Sequence, residues 1–284
     1  MSTERILRDM SRRARVLEGR VVAVTGAGRG IGAATAAAFA SAGAKVAVGD
    51  IDLVTARETA ADIGERAGAF PVDVSNVVSF ESFIASVERE LGPLDVLVNN
   101  AGIITPGKFL SESDAVTREQ LDVNVYGVIL GSKLAGRRFA ASGDGHIVNI
   151  ASTFGVTAAP GLATYAATKH AIVGLSDALQ QELGPLGVRV TTVLPGPVRA
   201  DTEDRVTAIV RKIANVERSQ IADAIVEAVA DRNSGPIFVP GPFGPVLRGA
   251  QLLPRSLRES ALRLMSWSGV TGPDTPDEPS ANFR

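Results

Sequence analysis

Val21-Val-Ala-Val-Thr25 runs directly into Gly26-Ala-Gly-Arg-Gly-Ile-Gly32. The first five residues are apolar or β-branched and read as a buried strand. The next seven cannot continue it, and Ile31–Ala42 then reads as a helix. At a strand–turn–helix junction of this kind, free amides at the helix N-terminus attract an anion. Glycine lets the anion approach without a Cβ in its way. Gly26, Gly30 and Gly32 fall where the chain must turn tightly, admit a phosphate and pack helix against sheet, and Arg29 and Ile31 complete the turn. The pyrophosphate of a dinucleotide fits this pattern. A glycine-rich connection without a ligand is the alternative.

Outward from this unit, short apolar runs alternate with helical patterns. Lys45–Asp50, Ala69–Asp73, Asp95–Asn99, His146–Ser152, Val188–Val193 and Ile237–Val239 read as further strands. Helical patterns include Asn76–Leu91, Ala115–Ala141 and Ala163–Leu183. About seven mostly continuous apolar strands separated by helices predict an α/β fold, a doubly wound parallel sheet covered on both faces. The expected organisation is one Rossmann-fold domain over 20–242, preceded by a basic arm over 1–19. An amphipathic helical extension is expected over 243–267, and a Pro- and Asp-rich disordered tail over 268–284.

The second strand ends in Asp50, about 20 residues beyond the glycine turn. A carboxylate there accepts the ribose hydroxyls of adenosine and repels a 2′-phosphate, so the expected cofactor is NAD. Arg29 is a cation that pulls the other way.

Composition excludes several chemistries. The chain has no cysteine and two histidines, His146 and His170, which removes disulfides, thiolate nucleophiles and histidine- or cysteine-rich metal sites. A net charge of −2 gives no footprint for nucleic acid. The first twenty residues carry Arg5, Arg8, Arg12, Arg13 and Arg15 and lack the apolar run of a secretory signal, so the expected location is the cytoplasm.

Several motifs in order resemble the short-chain dehydrogenase/reductase family over about residues 18–240. They are Thr25 to Gly32, Asp73-Val74, Asn99-Asn-Ala-Gly102, Asn124, Ser152, Tyr165-x-x-x-Lys169 and Pro195-Gly196. The resemblance implies that Asp73 and Val74 hold the adenine edge, and that Asn100, Ala101 and Gly102 line the cofactor cleft. It implies that Pro195, Gly196 and Val198 face the nicotinamide, and that Asn124, Ser152, Tyr165 and Lys169 form the catalytic group. The chain departs from the family where members often carry threonine after Pro-Gly-x-Val-x: it has Ala200, with Thr202 two residues on. Its last strand ends Val-Pro-Gly-Pro instead of Asp-Gly-Gly.

Tyr165 and Lys169 stand four apart on a helix and share a face. An ammonium beside the phenol is expected to lower its pKa from about 10 and suit it to acid/base work. Lys169 is also expected to hold the nicotinamide ribose. Ser152, at a strand end, can donate to the substrate oxygen. Asn124 is expected to hold a water that links Lys169 to solvent. The resulting reading is an oxidoreductase that moves a hydride between NAD(H) and an alcohol or carbonyl carbon, with Ser152 and Tyr165 touching the substrate. A non-catalytic dinucleotide-binding regulator is the alternative, and a sugar-nucleotide epimerase or dehydratase ranks third. Both histidines read as structural.

Val246, Ala250, Leu253, Leu257, Ala261 and Leu264 recur at helical spacing. They suit packing on the domain or on a second subunit of a dimer or tetramer, ahead of a lid over substrate or shallow membrane contact. The segment from Pro195 to a helix near Ser219 resembles the family's substrate lid in position. The C-terminal ending hints at an apolar alcohol.

Overall fold

The computed structural model describes residues 12, 15–198, 216–242, 244 and 249. Among them, β1 (Val21–Thr25), β2 (Lys45–Asp50), β3 (Ala67–Pro71), β4 (Val96–Asn99), β5 (Gly145–Ile150), β6 (Val188–Pro195) and β7 (Gly235–Val239) form one parallel sheet. Its order is β3-β2-β1-β4-β5-β6-β7. The connecting helices are α1 (Gly30–Ser41), α2 (Leu53–Ile63), α3 (Val77–Leu91), α4 (Asp114–Leu121), α5 (Gly127–Ser142), α6 (Ala163–Leu183) and α7 (Arg218–Ala230). This is the doubly wound Rossmann sheet that the strand–helix rhythm predicts.

The continuous apolar runs are explained by burial on both faces: two large cores, and a smaller cluster that takes Leu194 of β6 and Phe238 of β7. Side chains alternate along a strand. Val22 and Val24 therefore join Val46, Val48, Val96 and Val98 in the core that holds Phe39 of α1 and Ile225 of α7. Val21 and Ala23 join Ala47 and Leu97 in the core that holds Phe80 and Phe83 of α3 and Phe139 of α5. Leu17, expected in the basic arm, is 1% exposed and belongs to the first core.

Several boundaries differ from expectation, and three of them bear on the site. β3 runs over Ala67–Pro71, not Ala69–Asp73, because Ala67 pairs with Val46 and Pro71 with Asp50. Ala-Gly-Ala has little intrinsic strand preference, and the pairing decides. β5 stops at Ile150, where its ladder with β6 ends, so Ser152 lies beyond the strand. The single long helix expected over Ala115–Ala141 is interrupted by a π turn, Asp122–Tyr126, in which Gly127 N donates to Asp122 O.

The chain winds from β1 out to β3 and returns to place β4 on the other side of β1. Ligands of open α/β sheets bind at this reversal, beyond the carboxyl ends of the strands. Ala200, Thr202, the extension over 243–267 apart from 244 and 249, and the tail lie outside the described residues.

Candidate active site

The glycine turn follows β1 at the reversal. Gly26 has φ +62°, and a Cβ on it would stand 2.7 Å from Ala101 Cα. A Cβ on Gly32 would overlap the Gly26 carbonyl and stand 2.5 Å from Asn100 Nδ2. Gly28, which the spacing argument passed over, is as constrained: its Cβ would overlap Thr55 Oγ1 and stand 2.9 Å from Asp50 Oδ2. Gly30, at φ +65°, faces open space, with nothing within 4 Å of an added Cβ. The turn is therefore packed on its inner side and open at the helix N-terminus, a cradle that fits a phosphate. Ile31 packs on the first core.

Asp50 is nearly buried. Its Oδ2 accepts from Gly28 N at 2.8 Å and its Oδ1 from Asp52 N at 3.0 Å. The carboxylate thus braces the turn as well as standing at the end of β2. Arg29 Nη2 lies 3.9 Å from Asp52 Oδ2, so its charge already faces an acid.

The loop after β4 is tied to the same turn. Asn100 Nδ2 donates to Thr25 O at 2.8 Å and Gly26 O at 3.0 Å. Asn100 N and Ala101 N both donate to Thr25 Oγ1 at 3.1 Å. Thr25 is the residue that sequence reasoning missed here; its place at the end of β1 was the available signal. Asp73 Oδ1 accepts from Ser75 N and Ser75 Oγ, closing a turn past β3. Val74 is buried against the start of α5, where a Cβ on Gly127 would come within 2.9 Å of it. Pro195 ends β6, Gly196 N donates to Val239 O at 2.8 Å, and Val198 pairs with Val216.

The four expected catalytic residues converge. Ser152 caps a short turn, its Oγ accepting from Phe154 N at 3.1 Å, and its hydroxyl lies near enough to the Tyr165 phenol to act on it electrostatically. Phe154 packs edge-on against the Tyr165 ring, 6.3 Å between centroids. Lys169 is 5% exposed; its Nζ donates to Ile150 O at 3.0 Å and stands 5.7 Å from the Tyr165 ring centre. A Cβ on Gly102 would lie 3.2 Å from Asn124 Oδ1 and 3.5 Å from Lys169 Nζ, which puts the glycine between them.

Electrostatics here correct one expectation. Burial pushes the Tyr165 phenol above its ordinary value, against the lowering effect of Ser152. Burial also pulls Lys169 down to about 8. The expectation that Lys169 lowers the Tyr165 pKa fails for this arrangement because desolvation, acting on both groups, disfavours both charged forms.

Asn124 sits in the π turn and is fully buried. Its Nδ2 donates to Ile103 O at 2.8 Å and Thr168 Oγ1 at 3.2 Å, and its Oδ1 accepts from Ile103 N at 2.8 Å. The side-chain amide is a clamp on the loop after β4. Beneath the site, Asn99 Nδ2 donates to Asn149 Oδ1 at 2.9 Å, and Asn149 Nδ2 to Ser176 Oγ at 2.9 Å. This buried ladder between β4, β5 and α6 was not anticipated. His146 lies buried at the opposite end of β5, its Nε2 2.8 Å from Thr191 Oγ1, with burial pulling its pKa to about 3. His170 Nδ1 lies 2.8 Å from Ala166 O on its own helix. No helix among the described residues is long and apolar enough to cross a membrane.

Residues 20–209 match a protein family described as short chain dehydrogenase. The chain is 37% identical over 264 residues to "Probable oxidoreductase EphD" of Mycobacterium tuberculosis (strain ATCC 25618 / H37Rv), covering 85% of this chain but 44% of that protein. It thus spans less than half the length of that relative. It is 33% identical over 243 residues to the 2,5-dichloro-2,5-cyclohexadiene-1,4-diol dehydrogenase LinX of Sphingobium indicum, covering 83% of this chain and 94% of that one. A crystal structure of 3-ketoacyl-(acyl-carrier-protein) reductase from Brucella melitensis complexed with NADH superposes with a TM-score of 0.73 at 31% identity, covering 78% and 96% of the two chains.

Proposed function

Because the chain belongs to the short chain dehydrogenase family, we propose that it is an NAD-dependent oxidoreductase acting on a secondary alcohol or the matching ketone, with Tyr165 as acid/base. The observation that carries this reading is the convergence of Ser152 and Lys169 on Tyr165: Ser152 eases the phenol downward, and Lys169 Nζ, one helical turn further along α6, stands 5.7 Å from the ring centre.

The dinucleotide, when bound, supplies the hydride acceptor or donor and, in its oxidised form, a positively charged ring. Gly26, Gly28, Gly30 and Gly32 form the cradle for its phosphates, with Arg29 and Ile31 completing the turn. Asp50 takes the adenosine ribose. The acidic end of β2, with Arg29 turned toward Asp52, supports NAD over NADP. Asp73 and Val74 are assigned to the adenine edge; Ala101, Gly102, Pro195, Gly196 and Val198 are assigned to the rest of the cleft. Asn100 acts by fixing the turn and the cleft loop to each other.

In oxidation, Tyr165 Oη takes the substrate hydroxyl proton; in reduction it returns that proton to the carbonyl oxygen. Ser152 eases the phenol downward before substrate binds, and its single hydroxyl proton is donated to the substrate oxygen once substrate is in place. Lys169, desolvated and close to the Tyr165 ring, is placed to orient the ribose. Asn124 is a positioning residue that clamps Ile103. The aromatic ring of Phe154 packed against Tyr165 supports an apolar substrate, as does similarity to a dehydrogenase named for a cyclic diol. A cytoplasmic, homo-oligomeric enzyme is the accompanying reading.

The test is absorbance at the reduced-nicotinamide band with a panel of secondary alcohols and ketones. Turnover is expected with wild type, and its loss with Tyr165→Phe. NADH binding without turnover on the whole panel would favour a dinucleotide-binding regulator.

A further inference from the structure

α4 carries one fully buried side chain, Gln120, and it is polar. Its Nε2 and its Oε1 both lie out of solvent with no hydrogen-bond partner among the described residues. α4 packs against α6, the helix that bears Tyr165 and Lys169, and Gln120 is the side chain that α4 buries. Leaving an amide dry and unpaired is costly, and native structures usually satisfy such groups with an ordered water.

The neighbours of Gln120 along the seam are polar. One turn before it, Thr117 Oγ1 donates to Glu112 Oε1 at 2.5 Å, and Glu112 also accepts from Thr164 Oγ1 of α6 at 2.7 Å. One turn after it, Asn124 Nδ2 donates to Thr168 Oγ1, which in turn donates to the backbone carbonyl of Tyr165 at 2.7 Å. Gln120 therefore stands in sequence between two hydrogen-bonded bridges to α6, one from Thr117 of α4 and one from Asn124 of the π turn, and the second ends on the backbone of Tyr165.

We propose that Gln120 holds an internal water in the α4–α6 seam, and that this water completes the Asn124–Thr168 bridge and so fixes the backbone that aims Tyr165. Gln120 touches neither substrate nor cofactor and is a positioning residue. The positioning half rests on the reading of Tyr165 as acid/base; the water itself does not. A water beside the amide would meet its two N–H donors and its acceptor oxygen, with the polar bridges at Thr117 and Asn124 one helical turn away on either side in sequence.

The experiment has two arms on the full chain. The first detects water by magnetisation transfer from long-lived water to the Gln120 side-chain amide protons, with no substrate present. Transfer is expected; its absence overturns the proposal. The second compares wild type with Gln120→Met, which keeps the volume and removes the amide. If a water is held, the melting temperature falls by about 3 °C. Turnover number then falls about tenfold while the KM for dinucleotide is unchanged. If the seam is dry, the substitution removes an orphaned amide, and the melting temperature rises with turnover intact. A detected water with unchanged turnover overturns the positioning half. Gln120→Glu, which keeps the acceptor, is expected to recover part of the lost turnover below neutral pH. Should no alcohol or ketone turn over even with wild type, the proposed reaction fails while the water and the melting temperature still report on the seam.

Discussion

Lys169 Nζ donates to the carbonyl oxygen of Ile150 at 3.0 Å, from a position almost closed to solvent. One backbone oxygen is poor compensation for the hydration of an ammonium, and burial brings the lysine down from 10.5 to about 8. In the unfolded chain the same lysine keeps its proton to about 10.4. Between these values the unfolded state binds more protons, so stability rises as pH rises from about 8 toward 10. The full difference corresponds to roughly 3 kcal/mol. Urea unfolding at several pH values is expected to show this rise in wild type and not in Lys169→Met. An equal rise in both would place the titration elsewhere. Turnover by Lys169→Met is expected to fall at least about a hundredfold.

Ser152 is the one group that lowers the phenol of Tyr165 against burial. Ser152→Ala is therefore expected to move the pH at which oxidation rates rise to higher pH and to lower turnover about tenfold to a hundredfold. Phe154 N also loses its acceptor in the variant. A pH–rate profile decides the point, and an unmoved inflection would separate Ser152 from the titrating group.

Asp50 serves both the turn and the end of β2. Asp50→Ala is expected to lose the preference for NAD over NADP and to cost about 1 to 3 kcal/mol of stability, because Gly28 N and Asp52 N lose their acceptor. Dissociation constants for both dinucleotides, with thermal unfolding alongside, test this. Wild type binding NADP more tightly than NAD would remove the argument from charge.

Gly28→Ala drives a Cβ into Thr55 Oγ1 and against Asp50 Oδ2. Overpacking of this kind costs about 1 to 3 kcal/mol. Dinucleotide affinity is expected to fall with stability, since the displaced groups are those that shape the cradle. Calorimetric binding and melting of this variant beside Gly30→Ala, whose Cβ meets open space, separate crowding inside the turn from the strain of a positive φ. Equal effects in the two would contradict the contact geometry.

The sheet was legible because its strands are buried on both faces: Val21–Thr25 feeds two cores, and an unbroken apolar run is the trace of that. Tyr165 and Lys169 were legible because helical spacing alone puts them on one face. What escaped notice depends on who meets whom across the fold. Gly28 looks like any member of a glycine run until Thr55 and Asp50 close on it. The Asn99–Asn149–Ser176 ladder joins residues up to 50 positions apart, beyond any local pattern. The shift of Tyr165 was read with the wrong sign because spacing reports the nearby amine and says nothing of the water removed from both groups. The π turn leaves no mark in a run that is helical on either side.

The π turn over Asp122–Tyr126 carries a consequence for how this site is inherited. It is one residue more than a regular helix needs, and that surplus sets the direction in which Asn124 projects. Shortening the stretch by a single position would restore an ordinary helix and swing the amide about 100° around the axis, away from Ile103. Substitution can retain the clamp or lose it at one position; a one-codon deletion would uncouple the loop after β4 from α6 while leaving each remaining side chain chemically intact.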